Sequence, residues 1–239
     1  MPELPVAGVD GCRAGWLCVT ANQPGFLTAF VAPTASALIS RLRADTIIGI
    51  DIPIGLPTLD SRGAEREARS LIGIRRSSVF QVPLRAVLHC TTHSQASAIQ
   101  VEVHRRAKRL SVQSFAILPK IREVDQLIGV DRGLLSRLVE VHPEASFWCW
   151  NDMMPLADSK KTKRGRESRA ALIEAEWPGV AEQIAARLRI EHRGQWMLDD
   201  LYDAFAALWS AQRYATGRHL ALPAAPEWDE KAIPMRIVV

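Results

Sequence analysis

Three short apolar runs open the chain: Val6 to Val9, Trp16 to Thr20 and Phe26 to Val31. Asp10-Gly11 and Gln23-Pro24-Gly25 supply turn chemistry between them, so the pattern predicts a three-strand meander. Thr34 is placed to cap a helix running to about Arg43, with Leu38, Ile39 and Leu42 facing inward. Thr46 to Ile50 is uninterruptedly apolar, as suits a strand covered on both faces. It stops at Asp51-Ile52-Pro53, because proline cannot continue a central ladder. A strand, a helix and another buried strand in that order predict an α/β architecture.

Residues 60–130 read as helical: Glu65 to Ile72 ending at Gly73, Ser94 to Leu110 with a basic end at Arg105 to Arg109, and Pro119 to Ile128 with its proline early. The basic end reads as solvated and favoured by the helix dipole. No Ser/Gly/Pro-rich linker marks a boundary, so this stretch is taken as a helical insertion within one domain spanning 1–239. Leu138 to His142 resumes strand character. Lys160 to Arg166 reads as a basic, glycine-containing loop. Helices follow at Glu167 to Glu176 and Gly179 to Leu188, broken at Trp177-Pro178. A long helix from Met197 to Thr216 is closed by Gly217. Ile233 to Val239 either adds an edge strand or packs on the core.

Composition sets outer bounds. With 239 residues, 48% of them hydrophobic, the chain can bury one large core. A charged fraction of 23% argues against wholesale disorder. A net charge of +4 permits a polyanionic partner without demanding one. The four cysteines are scattered and form no C-x-x-C, which points to reduced thiols and a cytoplasmic setting. The start Met1-Pro2-Glu3-Leu4-Pro5 carries no secretory pattern, and no apolar stretch is long enough to span a bilayer.

The chemistry is sought among the carboxylates. Asp10 and Asp51 each end a buried apolar run. Either alone reads as a turn residue; two together suggest a site, because ligands in open α/β sheets sit at the carboxyl ends of strands. Glu140 interrupts Leu138-Val139-Glu140-Val141-His142, where an acid is disfavoured unless it reaches solvent, a partner or a metal. Alternation puts Leu138, Glu140 and His142 on one face. Glu144 competes for the same role. On the last helix Asp200 and Asp203 project about 60° apart, close enough to serve one ion. Asp199 and Asp203 are closer still, so spacing leaves Asp199 and Asp200 as alternatives. Ala204, Ala207 and Ala211 would let that helix approach the sheet.

Further groups are weighed more briefly. Arg75, Arg76, Ser77 and Ser78 suit a phosphate backbone as well as they suit a solvated loop. Lys161 and Lys163, with Lys160, Arg164 and Arg166 around Gly165, form a denser basic stretch. His89 and His93 have helical metal spacing but lack an obvious third ligand.

Six segments in order then resemble one family. Gly8-Val9-Asp10-Gly11-Cys12-Arg13-Ala14-Gly15-Trp16, Ile50-Asp51-Ile52-Pro53-Ile54-Gly55-Leu56-Pro57 and Arg75-Arg76-Ser77-Ser78-Val79-Phe80 are the first three. Lys120-Ile121-Arg122-Glu123-Val124-Asp125, Glu140-Val141-His142-Pro143-Glu144 and Asp199-Asp200-Leu201-Tyr202-Asp203-Ala204 complete the set. Together, over about residues 6–217, they look like the predicted-nuclease family labelled domain of unknown function 429. The resemblance implies an RNase-H-like fold similar to Holliday-junction resolvases: a mixed five-stranded sheet with an antiparallel second strand, flanked by helices, and the helical insertion between the fourth and fifth strands. It implies an acid on the first strand (Asp10), one after the fourth (Asp51) and acids on the C-terminal helix (Asp200, Asp203), with Glu140 as a fifth member and Lys120, Lys161 and Lys163 beside the arginine motif as substrate contacts.

The expected activity is Mg2+- or Mn2+-dependent hydrolysis of phosphodiester bonds in nucleic acid. Two ions about 4 Å apart can activate a water and stabilise the leaving oxygen, and magnesium prefers oxygen ligands. Asp10 with the helix acids would hold one ion, and Asp51 with Asp10 or Glu140 the other. A non-cleaving nucleic-acid or protein-binding module on the same fold competes with it. An actin-like phosphotransferase ranks third, because the chain is short for two subdomains and has no P-loop.

Overall fold

A computed structural model describes residues 4–23, 26–106 and 108–239. The opening meander forms as expected: β1 (Val6–Cys12), β2 (Gly15–Gln23) and β3 (Phe26–Ala32). The Pro24-Gly25 part of its second turn lies outside the described residues. Then come α1 (Ala35–Arg41), capped by the Thr34 hydroxyl, and β4 (Ile47–Ile50). Between β4 and the next sheet strand lie α2 (Gly63–Ile72), α3 (His93–Val103), α4 (Val112–Ala116) and α5 (Leu118–Val130). The short β5 (Leu138–Glu140) is followed by α6 (Pro143–Trp150), α7 (Lys163–Glu176), α8 (Val180–Glu191), α9 (Leu198–Ala215), β6 (Ala221–Trp228) and β7 (Pro234–Val238).

The five-stranded sheet has the order β3-β2-β1-β4-β5. β2 runs antiparallel to both β1 and β3, while β1, β4 and β5 are mutually parallel. Alternation splits the core into two layers. Ala7, Val9, Ile48 and Ile50 face α1 and α5, through Leu38, Ile121 and Val124. Val6, Leu17, Val19 and Val31 face the other way, onto α8 and α9, through Leu188, Phe205 and Leu208. The chain is thus an α/β protein with helices on both faces of a mixed sheet. Among the described residues no helix is long and apolar enough to cross a membrane.

The two glycines on the second face fix how near α9 comes. A Cβ on Gly8 would stand 2.0 Å from the Leu208 nitrogen and 2.1 Å from the Ala204 oxygen. One on Gly49 would stand 2.5 Å from the Ala207 oxygen. The small residues of α9 therefore do press the helix backbone onto the strands.

Three expectations are corrected. The helix expected over Ser94 to Leu110 stops at Val103, because the Arg105 backbone N–H turns away to the Leu59 carbonyl. Its basic end is therefore not a helix terminus; Ala107 within it lies outside the described residues. The stretch Lys160 to Arg166 is loop only at first. Thr162 caps α7 by accepting from the Gly165 N–H, so Lys163 to Arg166 are helical. β6 was not expected, since Pro223 and Pro226 mask it; it pairs with β7 alone, with a register shift between Leu222 and Glu227. The final apolar run is thus β7 of a small separate sheet, tied to the main one by a parallel bridge between Val141 and Val238.

Replacing Gly8 with alanine should lower stability by about 3 kcal/mol in urea unfolding, since backbone, not a flexible side chain, blocks the new methyl. A loss below about 1 kcal/mol would mean that the helix and strand are not in backbone contact.

Candidate carboxylate site

β1 and β4 are in register from Val6↔Ile47 to Val9↔Ile50, and the Asp51 N–H extends the ladder by donating to the Val9 carbonyl at 2.9 Å. Asp10 and Asp51 are therefore neighbours on adjacent parallel strands. Each shares its strand face with a glycine, Gly8 or Gly49, that touches α9. Asp203 lies on α9 between the start of the helix and Ala204, so the same close approach brings it over the two strand acids. Asp10 and Asp203 are buried, and Asp51 and Asp200 partly so.

Electrostatics report their mutual proximity. Burial, then the charges of Asp51, Asp203 and Asp200, push the Asp10 pKa well above the ordinary carboxylate range. Burial and Asp203 push Asp51 up to about 8, against the pull of Lys160. Burial raises Asp203 although the Lys160 ammonium donates to its Oδ2. Burial also raises Asp200, whose Oδ2 accepts the Met197 N–H at the start of α9. Asp200, rather than Asp199, is the helix acid that acts on Asp10. Against its own burial, Asp203, Asp51 and Asp10 raise the Lys160 pKa, so the lysine stays charged. Lys160 thus acts on all four acids. Among the described residues no three His, Cys, Asp or Glu side chains are already drawn into a metal shell.

A family model described as a protein of unknown function (DUF429) matches residues 8–228. The chain belongs to the DUF429 family. No curated protein and no solved structure matches it.

The other sequence-predicted residues of this DUF429 protein are held in several different ways. Glu140 pairs in register with Ile50, one step before Asp51, and so faces the opposite side of the sheet. There both its oxygens accept from the buried Arg62, at 2.8 and 2.5 Å, and one also accepts from the Ile54 N–H at 2.7 Å. It occupies a buried ion pair, and its charge reaches Asp51 only as a lesser influence. Glu144 is held between Arg169 at 2.7 Å and Arg75 at 3.1 Å. Arg75 therefore points inward to an acid, while Arg76 and Ser77 are exposed and Ser78 donates to the Arg75 carbonyl. Lys120 donates to the Gly15 carbonyl and stands 4.4 Å over the Trp16 ring. Its pKa is lowered by burial, with Asp10 and Asp200 among the charges that oppose this. Lys161 and Lys163 are exposed, and Lys163 lies 3.7 Å from Glu167. His93 bonds the Leu110 carbonyl at 3.0 Å, which leaves no histidine pair with His89.

Sequence reasoning did not single out Lys160 from its basic neighbours, nor Arg62 and Glu65 at the start of α2. Lys160 carries one signal, its position two residues before the Thr162 cap of α7.

The raised acids set a direction for stability against pH. Folded Asp51 keeps its proton up to about pH 8, while the unfolded chain loses it near 4. Between those values the folded state binds more protons, so stability falls as pH rises. In chelator, Asp51→Asn should therefore flatten the decline in melting temperature between pH 4 and pH 8 and gain most above pH 8. A parallel decline in both proteins would show that Asp51 is not ionising in an unfavourable field.

Proposed function

We propose that this DUF429 protein is an RNase-H-like hydrolase of nucleic-acid phosphodiester bonds that works with Mg2+ or Mn2+. The observation that carries the reading is the meeting of Asp10 and Asp51, from adjacent parallel strands, with Asp203 and Asp200 on α9, with Lys160 as the cation that acts on all four. The strand order, with β2 antiparallel and the helices between β4 and β5 as an insertion into that frame, supports the fold assignment.

The donor set fits a hard divalent cation. All four groups are carboxylates, they come from three elements (β1, the end of β4, and α9), and each is held at a raised pKa that added positive charge would lower. Asp10, Asp51, Asp200 and Asp203 would be the ligands. When bound, such an ion supplies positive charge against a phosphoryl oxygen and acidifies a water. The chain itself fixes Asp10 by the Gly11 N–H at 2.7 Å and Asp200 by the Met197 N–H at 2.8 Å, so both carboxylates are oriented before anything binds. Lys160 neutralises Asp203 and can turn to a phosphate once a cation takes over that role. Lys120 beside Trp16, and the exposed Lys161 and Lys163, would supply cationic contacts to a polyanion.

The Lys160–Asp203 pair also supports a second reading, in which the lysine is the resident counter-charge and the protein binds nucleic acid without cutting it. One experiment separates the two. Asp10→Asn should stay folded, melting no lower than the wild type, and lose Mn2+-stimulated cleavage by at least about a hundredfold across a panel of single-stranded, duplex and branched substrates. Cleavage at full rate in that variant, or in excess chelator, would refute the hydrolytic mechanism. Salt-sensitive binding that ignores both chelator and the substitution would favour the non-cleaving module.

A further inference from the structure

The C-terminal end of α9 gathers three arginines from two elements and the turn after the helix. Arg213 lies in the last turn of α9, Arg218 follows the helix, and Arg236 belongs to β7. Alternation along β7 puts Arg236 on the same face as Val238, and Val238 packs with Tyr214 of α9. The strand thereby brings the Arg236 guanidinium to 6.0 Å from the centre of the Tyr214 ring. Arg213 stands 4.7 Å over the Trp209 ring and donates to the Arg218 carbonyl at 2.6 Å. Arg218 donates its Nε to the Thr216 hydroxyl at 3.0 Å. The His219 ring lies 4.7 Å from that of Tyr214. Burial, then the charges of Arg236 and Arg213, lower the His219 pKa, as fits a ring with both guanidiniums nearby.

The helix dipole favours Arg213 in the last turn, and the two aromatic faces favour Arg213 and Arg236 singly. Neither effect accounts for three like charges drawn together. Among the described residues none of the three forms an ion pair with a carboxylate. Arg62, Arg75, Arg85 and Arg169, by contrast, each lie against one. The donors are largely unspent as well. A guanidinium carries several N–H groups in one plane, and stacking on a ring face leaves that edge open. Arg213 and Arg218 each use a single donor on the protein, and among the described residues Arg236 uses none.

We propose that Arg213, Arg218 and Arg236 form a phosphate-binding site at the C-terminal end of α9. A phosphate group suits them better than a carboxylate, because it offers roughly three acceptor oxygens and up to about two charges to several guanidinium forks at once. Ten positions separate Arg213 from Asp203. That is about 15 Å along the helix, so one phosphate cannot touch both ends. The site shares no residue with the carboxylate cluster and does not depend on hydrolysis there. Its phosphate comes either from a free polyphosphate or from the backbone of a bound nucleic-acid strand.

The test titrates inorganic pyrophosphate, a short oligothymidylate and malonate into the full-length protein by calorimetry, at fixed salt and in excess chelator. Pyrophosphate should bind at least about tenfold more tightly than malonate. Arg236→Gln and, separately, the exposed Arg218→Gln should each weaken pyrophosphate by about fivefold or more, with an unchanged melting temperature for Arg218→Gln. Arg236→Lys, which keeps the charge and loses the fork, should fall between Arg236→Gln and the wild type. If the same substitutions weaken the oligothymidylate in proportion, the ligand is a strand backbone. If only pyrophosphate suffers, it is a free polyphosphate. Equal binding of malonate and pyrophosphate would reduce the cluster to an unspecific cationic patch and overturn the site. So would wild-type affinity for pyrophosphate in Arg218→Gln, or no pyrophosphate binding at all.

Discussion

The nearness of α9 to the sheet governs the rest of the molecule. Gly8 and Gly49 lie on neighbouring parallel strands, and each has the helix backbone where its own side chain would be. A larger residue at either position would lift the helix, and with it Asp203, away from Asp10 and Asp51. The contact serves two ends at once. It buries the Leu201, Phe205 and Leu208 face of α9 in the core, and it brings an acid of the second helical turn over two strand ends.

Buried charge is handled in two ways within the same fold. Glu140 and Glu144 each lie against arginine, and Asp229 accepts from Arg85 and from the Leu56 and Ile233 N–H groups, which together hold its pKa down despite burial. Those pairs join elements distant in sequence: α2 to β5, α6 to α7, and the turn before β7 to the segment after α2. Asp10, Asp51 and Asp203 are treated otherwise. Carboxylates are the chief charged neighbours of Asp10 and lead those of Asp51, while Lys160 and then Arg169 answer Asp203. In the proposed function, the second group is the one that an added cation would compensate.

Much of this was legible in the chain. Asp10 and Asp51 stand out because apolar runs stop at them, and Asp200 and Asp203 because a clear 3.6-residue period carries them. The alanines of α9 foretold its close approach. Glu140 was harder. Alternation gave its companions on β5 but not which side of the sheet they face; that needs the register of β5 on β4, where Glu140 sits opposite Ile50 and not Asp51. Lys160 was hidden in a run of similar cations with no period to separate them. Arg62 and Glu65 were not singled out, because the small sheet that covers α2 includes a proline-bearing strand that local pattern does not reveal. What escaped the sequence depends in each case on long-range pairing.

The most direct measurement of the account is a crystal structure of the wild-type protein grown in MnCl2, with anomalous scattering recorded near the manganese edge. A peak bounded by Asp10, Asp51 and the α9 acids, with Lys160 released from Asp203, is the outcome the account requires. Anomalous density elsewhere, or an undisturbed Lys160–Asp203 pair with no peak beside Asp10 at saturating manganese, would contradict it.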